Sequence, residues 1–205
     1  MTTEAPVYLL DDEPKMVKAL ARLLEAEGFT VRGFTSAGAF LEAYRTEPSG
    51  CLVLDVAMPG LSGLDLQQRL TRDGILLPIV FLTGRGDIPM SVQAIKSGAV
   101  DFLTKPVNAA HLLRAVRGAL QRAAEQRDSL AQLARLRQRH SRLTPREREV
   151  MHHVVAGLLN KQIAAELGTG EQTIKIHRAR VMEKMEVRSL ADLVRAAGRL
   201  GASHQ

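Results

Sequence analysis

The sequence predicts an α/β domain built on a doubly wound, parallel, five-stranded sheet, followed by a helical linker and a small all-α domain. Three observations support this prediction. Short apolar runs alternate with helical periodicity five times within residues 1–122, which is typical of βα units and a parallel sheet. Glycine and proline are absent from residues 121–142. Four short helical patterns then occupy residues 142–205.

The five predicted strands are short apolar runs bounded by Gly, Pro or Asp. In the clearest, Cys51–Asp55, four apolar residues precede an aspartate and a Pro59-Gly60 turn, as expected of a strand buried on both faces. The other predicted strands cover residues 7–10, 30–34, 78–83 and 99–104. Helical spacing of apolar residues predicts the helices between them at residues 14–28, 36–44, 64–70 and 90–96, and a fifth from Ala109.

Charge and composition limit the classes of protein to which the sequence can belong. The net charge of +6 lies entirely in residues 123–205, which hold 15 Lys and Arg against 9 Asp and Glu, whereas residues 1–122 hold 13 of each. A local basic excess is typical of a polyanion partner, although charge alone favours a solvated basic surface. The single cysteine, Cys51, excludes a disulfide framework and favours a reducing cytoplasm. Residues 1–6 lack the features of a signal peptide, and no apolar run approaches the roughly 20 residues of a membrane span.

The composition of residues 123–141 predicts a semi-rigid helical linker. We place the two domains that it joins at residues 1–122 and 142–205. Arg, Gln, Glu and Ala dominate this stretch, and these residues favour helix. Val116, Ala123 and Leu130 follow a heptad spacing, but the next heptad position is Arg137. A helix paired in a dimer is therefore a second interpretation of this segment.

Polar and charged side chains stand at the carboxyl ends of four predicted strands, as Asp11, Asp12, Asp55, Thr83 and Lys105. A strand order of 2-1-3-4-5, as in flavodoxin-like sheets, brings these ends together. The three carboxylates would repel one another, and a hard divalent cation such as Mg²⁺ would relieve that repulsion. Together with the Lys105 ammonium and the Thr83 hydroxyl, they suit phosphoryl transfer, with Asp55 as the nucleophile that forms an acyl phosphate. Each residue alone is better explained as a cap, a turn or a surface residue.

Two short helices predicted at Lys161–Leu167 and Glu171–Lys184, joined by a Gly-containing turn, match helix-turn-helix geometry. Thr144 with Glu147 three residues later predicts the N-terminus of the helix that precedes them. One side of the second helix is expected to face the core, through Ile174, His177, Val181 and Met185. The opposite side suits a DNA major groove, because it combines basic and polar residues with an apolar one: Gln172, Lys175, Ile176, Ala179 and Arg180. An amphipathic helix with one stray isoleucine is the simpler alternative.

Several segments of the first domain carry a specific pattern: the Asp11-Asp12 pair, Asp55 with Met58-Pro59-Gly60, Thr83-Gly84 and Asp101–Pro106. Over residues 1–122 they resemble the receiver domain of two-component response regulators, and Gly86–Met90 and Lys96–Phe102 are similar to the FixJ branch. The resemblance implies that Asp55 accepts a phosphoryl group from the phosphohistidine of a sensor histidine kinase. It also implies a Mg²⁺ site at Asp12, Asp55 and the Ala57 carbonyl, with Asp11 acting through water.

The resemblance also implies a switch. Thr83 and Phe102 would change conformation together, and Lys105 would hold a phosphate oxygen, with a cis bond to Pro106. A phosphoryl group adds about −1.5 to −2 charge at Asp55. Thr83 would turn towards that charge, and Phe102 would fill the space that Thr83 leaves. We expect this change to reshape the surface made by the predicted helix 90–96, the strand 99–104 and the helix from Ala109, and so to promote a homodimer.

Three segments of the C-terminal domain, Leu143–Val150, Gly157–Ala164 and Thr173–Arg178, resemble the LuxR-type DNA-binding domain over residues 142–203. The resemblance implies that the helix beginning near Glu171 enters the major groove. The expected DNA-contacting residues are Lys161, Gln172, Thr173, Lys175, Ile176, Ala179 and Arg180. The last helix is implied to pair two such domains on a two-fold operator, through Leu190, Leu193 and Val194. Gly170 stands where the family usually has a capping serine, a difference of about a few tenths of a kcal/mol.

These observations predict a cytoplasmic response regulator of the FixJ/NarL type that is phosphorylated on Asp55, dimerises and binds promoter DNA to regulate transcription, with activation the expected direction. Its expected partners are a sensor histidine kinase, double-stranded promoter DNA and RNA polymerase, with no membrane partner. It is not expected to be an enzyme beyond self-limited phosphotransfer and autodephosphorylation at Asp55. Two alternatives stay open. One is an aspartyl-phosphate phosphatase, which would need a second catalytic acid where Ala57 stands, and the other is a regulator whose C-terminal domain binds RNA or protein.

Overall fold

The computed structural model describes residues 5–46, 48–84 and 94–201. The chain divides into two compact units, Met1–Arg127 and Asp128–Gln205. The elements of the first unit are β1 (Val7–Leu10), α1 (Pro14–Ala26), β2 (Val31–Phe34), α2 (Ala37–Thr46), β3 (Cys51–Asp55), α3 (Gly63–Arg72), β4 (Ile79–Thr83) and β5 (Asp101–Thr104). A helix of 33 residues, α4 (Ala109–Ser141), contains the division between the units. No helix among the described residues combines the length and hydropathy needed to cross a bilayer.

The strands of the first unit form one parallel sheet in the order β2-β1-β3-β4-β5, which confirms the predicted strand order. Helices cover both faces of this sheet, so β1, β3 and β4 are buried along their whole length. The edge strand β5 is only partly buried, and it begins at Asp101, two residues after the predicted start.

Because successive residues of a strand point to opposite faces, the sheet has a separate core on each side. The core on the side of α2 and α3 includes Tyr8, Leu52, Phe81, Phe40 and Leu66. The core on the side of α1 and α4 includes Leu9, Val53, Leu82, Leu20 and Val116. These two cores fix the register in which Leu10 pairs with Leu54 and Asp55 pairs with Leu82. The carboxyl ends of β1, β3 and β4 therefore lie side by side at one edge of the sheet.

Part of the predicted pattern between β4 and β5 lies outside the described residues. The Gly86–Met90 segment and most of the predicted helix 90–96 fall within residues 85–93. Residues 94–96 are helical, and Ala94 is fully buried in the core on the side of α2 and α3. The buried Gln67 side chain of α3 donates a hydrogen bond of 3.1 Å to the carbonyl oxygen of Ser97, which attaches this segment to the domain.

The second unit contains the last four helices, α5 (Pro145–Val155), α6 (Asn160–Glu166), α7 (Glu171–Met185) and α8 (Leu190–Gly201). Their apolar sides share one core that includes Val150, Ile163, Ile174, Val181 and Leu193. The predicted capping box is present at the start of α5. The Glu147 amide donates to Oγ1 of Thr144 at 3.3 Å, and the Thr144 amide donates to Oε2 of Glu147 at 2.8 Å.

The last residues of α4 pack against this second unit. Leu136 contacts its core, and the Oε1 atom of Gln132 accepts a hydrogen bond of 2.8 Å from Arg199. Arg139 forms an ion pair of 2.5 Å with Glu186, the left-handed residue that ends α7. The second half of the predicted linker 123–141 is therefore an integral part of the second unit.

Candidate functional sites

Three aspartates meet at the carboxyl edge of the sheet. Asp55 is the last residue of β3, and Asp11 and Asp12 follow β1. One carboxylate oxygen from each lies within 4.8 Å of the others, so the structure brings together the acidic residues that the sequence predicts to converge. Asp11 and Asp55 are each 3% exposed, whereas Asp12 faces solvent. Three carboxylates at these distances form a site of strong negative potential, of the kind that hard cations occupy.

Lys105 is the cation of this site. Its Nζ atom lies 2.7 Å from Oδ2 of Asp11 and 3.0 Å from Oδ1 of Asp55. Lys105 directly follows β5, which ends at Thr104, and its peptide bond to Pro106 is cis, as predicted. The other oxygen of Asp11 accepts a hydrogen bond of 2.9 Å from the Glu13 amide, so both Asp11 oxygens are engaged.

The electrostatic surroundings of Asp55 favour its neutral form. Burial raises the pKa of Asp55 above its ordinary value, and the charges of Asp11 and Asp12 raise it further, while the hydrogen-bonding and charge effects of Lys105 lower the pKa only in part. Burial alone would lower the pKa of Lys105, but its contacts with Asp11 and Asp55 outweigh burial and hold that pKa above the usual value. Among the residues that the structure describes, Lys105 faces three carboxylates at this site.

The predicted switch residues lie in the strands beside Asp55. Thr83 is the last residue of β4 and is 4% exposed, and its carbonyl oxygen accepts a hydrogen bond of 2.7 Å from the Lys105 amide. Phe102 in β5 is partly buried, with its ring centroid 6.2 Å from that of Phe81. Ala57 is exposed two residues after Asp55. The structure thus connects Thr83 to Lys105 through the backbone and Phe102 to the core through an aromatic contact.

A second candidate site lies on α7. Ile174, Val181 and Met185 are buried as predicted, whereas His177 is only half-buried. The residues predicted to contact DNA are all exposed, namely Lys161, Gln172, Thr173, Lys175, Ile176, Ala179 and Arg180. Ile176 retains 46% of its surface in solvent, which is unusual for a large apolar side chain on a helix whose other side is well packed. This exposed face combines cations, amide and hydroxyl groups with an apolar contact.

Comparison with known families assigns both sites to a class. Residues 7–117 match the family model "Response regulator receiver domain", and residues 141–197 match "Bacterial regulatory proteins, luxR family". The chain belongs to the response regulators that carry a LuxR-type DNA-binding domain. The family resemblance predicted from the motifs of this response regulator is therefore confirmed.

Similar proteins cover nearly the whole length of the response regulator. Nodulation protein W of Bradyrhizobium diazoefficiens is 48% identical over 202 residues, which span 98% of this chain and 89% of that protein. Response regulator protein TodT of Pseudomonas putida is 46% identical over 194 residues, or 95% and 86% of the two chains. Among solved structures, the response regulator StyR is 46% identical with a TM-score of 0.83, over 95% of this chain and 98% of that one. Full-length FixJ from B. japonicum is 42% identical with a TM-score of 0.59, over 98% and 99%.

Two contacts made by the first helix of the helix-turn-helix, α6, were not predicted. Nη1 of Arg178 on α7 donates a hydrogen bond of 3.1 Å to Oδ1 of Asn160, the first residue of α6. Nη2 of Arg146 on α5 donates to the carbonyl oxygen of Leu167, at the end of α6, at 2.5 Å. These arginines therefore hold α6 at both of its ends. Arg178 and Asn160 both lie in the segments that resemble the LuxR-type domain, which is the signal that marks them.

The structure corrects one residue of the predicted pairing surface on α8. Leu193 is fully buried in the core of its own domain, so its side chain is not available to a second copy. Leu190 and Val194 are each 41% exposed and stay candidates for that surface. The three residues lie within one helical turn, and only the packing of α8 against α5 decides which of them faces inward.

Proposed function

We propose that this response regulator accepts a phosphoryl group on Asp55 from the phosphohistidine of a sensor histidine kinase and thereby controls transcription. The observation that carries the proposal is the position of Asp55, at the carboxyl end of β3, with Asp11 and Asp12 oxygens within 4.8 Å and the Lys105 ammonium 3.0 Å away. A carboxylate oxygen of Asp55 would form the new bond to phosphorus as the bond to the histidine nitrogen breaks, and that nitrogen would keep the electron pair. Such a transfer depends on positioning and charge neutralisation, and the position of Asp55 and the charge of Lys105 support both.

The residues around Asp55 fit a Mg²⁺ ion. The proposed ligands are Asp12, Asp55 and the carbonyl oxygen of Ala57, with Asp11 acting through water, and all of them are the hard oxygen donors that Mg²⁺ prefers. Oδ1 of Asp55 is buried, and Lys105 lies 3.0 Å from it, so this oxygen already faces a positive charge in the position that a cation ligand needs. When bound, the ion would neutralise negative charge on the phosphoryl oxygens. Lys105 would exchange its contact with Asp55 for one with a phosphoryl oxygen while keeping Asp11 as its partner.

Phosphorylation is proposed to act through Thr83 and Phe102. The phosphoryl group adds about −1.5 to −2 charge beside the end of β4. The Thr83 hydroxyl would turn to donate a hydrogen bond to it, and the Phe102 ring, which is only partly buried, would move towards the space that Thr83 leaves. The support for this coupling is the shared register of the two strands, in which Thr83 pairs with Thr104 and Phe81 pairs with Phe102.

The altered surface is proposed to form a homodimer of phosphorylated chains. β5 is an edge strand with partly exposed residues, so a change at Phe102 reaches the outside of the domain directly. The surface also includes the start of α4 and the predicted helix 90–96, most of which lies outside the described residues. A dimer would present two DNA-binding domains at once, and linking them makes the second DNA contact effectively intramolecular.

The α7 helix is proposed to enter the major groove of promoter DNA. Lys161, Lys175 and Arg180 would contact phosphates or base edges, Gln172 and Thr173 would offer hydrogen bonds, and Ile176 and Ala179 would contact a thymine methyl group. The support is the exposure of all seven side chains and the basic excess of the C-terminal residues. Leu190 and Val194 would pair two domains on a two-fold operator, and the bound dimer would activate transcription in the cytoplasm through RNA polymerase.

The proposal is tested by treating the full chain with acetyl phosphate and Mg²⁺. Molar mass is measured by light scattering, and affinity is measured for a duplex selected from random sequences. The mass is expected to double and the affinity to rise by about tenfold or more. Asp55→Asn is expected to show neither change, whereas Asp73→Asn, which removes an exposed carboxylate that pairs with Arg69, should respond like the wild type. No gain in either quantity, or an equal gain in Asp55→Asn, would contradict the proposal.

A further inference from the structure

A cavity in the second unit lies apart from the DNA-binding helix. Its volume is about 170 Å³, and it lies between the end of α4, α5 and α8. Three basic side chains line it, His140, Arg148 and His152, and its apolar lining includes Met151, Val155 and Leu200. Neither an acidic residue nor any residue of α7 is among its lining residues within the described part of the chain.

The positive charge at this cavity is not compensated by neighbouring acids. Arg148 forms no side-chain ion pair with any of the described residues. The acids on either side of it are engaged elsewhere: Glu147 accepts hydrogen bonds from Lys184 and Thr144, and Glu149 pairs with Arg146 at 2.9 Å. Arg148 is exposed, and its guanidinium is available to an anion that enters the cavity.

The acid nearest the end of α4 is already engaged. Arg139 and Arg142 share the single carboxylate of Glu186, and the residues of α8 that line the cavity carry no charge. Burial and the nearby charge of Arg148 hold the pKa of His140 below its usual value. A bound anion between His140 and Arg148 would relieve this repulsion, because it stabilises the protonated imidazole.

We propose that this cavity binds a small organic carboxylate with a short aliphatic chain. The carboxylate group is held by Arg148 and by the imidazoles of His140 and His152, since guanidinium groups match carboxylates in shape and charge. The chain packs against Met151, Val155 and Leu200. A cavity of about 170 Å³ is large enough for a short organic molecule. Its size and its partly apolar lining favour a short aliphatic chain over a bulkier group.

The inference is tested by NMR on the full chain, with the imidazole signals of His140 and His152 followed during titrations with acetate, propionate and butyrate at constant ionic strength. Saturable shifts are expected at both imidazoles. Affinity is expected to rise by about fourfold for each added methylene group, which corresponds to about 0.8 kcal/mol per buried CH₂. Butyrate should also raise the pKa of His140, because its negative charge favours the imidazolium.

Matched charge variants separate a built site from general attraction to a basic domain. Arg148→Gln is expected to weaken butyrate binding by about tenfold or more, as for the loss of a charge-assisted hydrogen bond. Arg188→Gln removes the same charge from an exposed position outside the cavity and should leave the affinity unchanged. Shifts that do not saturate, equal losses in the two variants, or no gain with chain length would overturn the proposal. Tighter binding of inorganic phosphate than of butyrate would overturn the choice of a carboxylate.

Discussion

The ammonium nitrogen of Lys105 lies 2.7 Å from Oδ2 of Asp11, although β5 and β1 are separated in the sheet by β4 and β3. The same nitrogen is 3.0 Å from Asp55 at the end of β3, and the Lys105 amide donates to the Thr83 carbonyl at the end of β4. One residue therefore contacts the residues that end or follow three other strands. If Asp55 is phosphorylated as proposed, the contacts of Lys105 are expected to change at the ends of these strands.

Removal of this cation should raise the pKa of Asp55. In Lys105→Met the hydrogen-bonding and charge effects that lower that pKa are lost, while burial and the other two aspartates remain. The free energy of unfolding at pH 7 without Mg²⁺ should fall by about 1–3 kcal/mol, because buried carboxylates lose their charged partner. Carboxyl ¹³C titration and urea unfolding measure the two effects. Lys96→Met, at an exposed lysine of the same domain, should change neither, and an unaltered Asp55 titration in Lys105→Met would refute the ion pair.

Asp55 itself should destabilise the unphosphorylated domain at neutral pH. The folded-state pKa of Asp55 is raised above the ordinary value of 3.8, so the folded chain binds this proton more tightly than the unfolded chain. Stability should therefore decrease as the pH rises from about 3.8 through the folded-state pKa, and stay lower above it. Asp55→Asn should be more stable than the wild type at pH 7, with a difference that shrinks towards acidic pH. Urea unfolding of both proteins at several pH values in Mg²⁺-free buffer measures this, and equal stability at pH 7 would contradict it.

The strand order and the convergence of the acidic residues were predictable from sequence for a specific reason. Four apolar runs end in polar residues or are followed by them, and parallel strands place all those ends at one edge. The exposure of Ile176 was predictable for a similar reason, because Ile174, Val181 and Met185 define the buried side of α7 by their spacing alone. Both inferences need only local patterns and one rule of assembly.

Contacts between distant elements could not be predicted in this way. Glu147 and Lys184 are 37 positions apart, and their hydrogen bond depends on how α5 and α7 pack. Leu193 was misplaced because Leu190, Leu193 and Val194 share one side of a helix, and the docking of α8 selects Leu193 for the core. The position of the division between the two units within α4 could not be predicted either, because the helix-forming composition is continuous across it.

The Glu147–Lys184 pair should make the C-terminal domain sensitive to acid. Burial raises the pKa of Glu147, but hydrogen bonds from Lys184 and Thr144 outweigh burial and hold that pKa below the ordinary value of 4.5. The stabilisation is therefore fully present above pH 4.5 and is lost as the pH falls through the folded-state pKa. Glu147→Gln should reduce the stability of this domain by about 1–3 kcal/mol at pH 7 and by less at low pH. Amide hydrogen exchange in α5 and α7 of the full chain measures the difference.

Glu149→Gln is the matched control for this prediction. It removes the same charge two residues further along α5, from an exposed carboxylate that pairs with Arg146. Exposed pairs of this kind contribute about 0–1 kcal/mol, so exchange rates should change little. Equal losses of amide protection in Glu147→Gln and Glu149→Gln would show that the buried Glu147 pair stabilises the domain no more than an exposed ion pair does.

Two neighbouring residues of α7 should separate the electrostatic and apolar parts of DNA binding. Lys175→Ala should weaken operator binding and reduce the slope of log K against log salt by about 0.9, the value for one phosphate contact. Ile176→Ala should weaken binding by about 1 kcal/mol without altering that slope, because a methyl contact releases no counterions. Fluorescence anisotropy at several salt concentrations measures both effects. Arg135→Ala, at an exposed cation on α4, should change neither quantity, and a similar slope change there would assign the effect to general charge.

The hydrogen bond between Arg178 and Asn160 should set the angle at which α7 meets DNA, because it joins the two helices of the helix-turn-helix at 3.1 Å. Arg178→Met and Asn160→Ala should each weaken operator binding, and the double variant should lose little more than either. The expected coupling is about 1 kcal/mol, as for contacting residues. Arg180 is exposed, and the side chain that donates to Asn160 is that of Arg178, so Arg180→Met combined with Asn160→Ala should be additive within about 0.5 kcal/mol. If the losses of binding free energy in Arg178→Met and Asn160→Ala were also additive, the two side chains would act on DNA binding independently. The hydrogen bond between them would then not orient the helix.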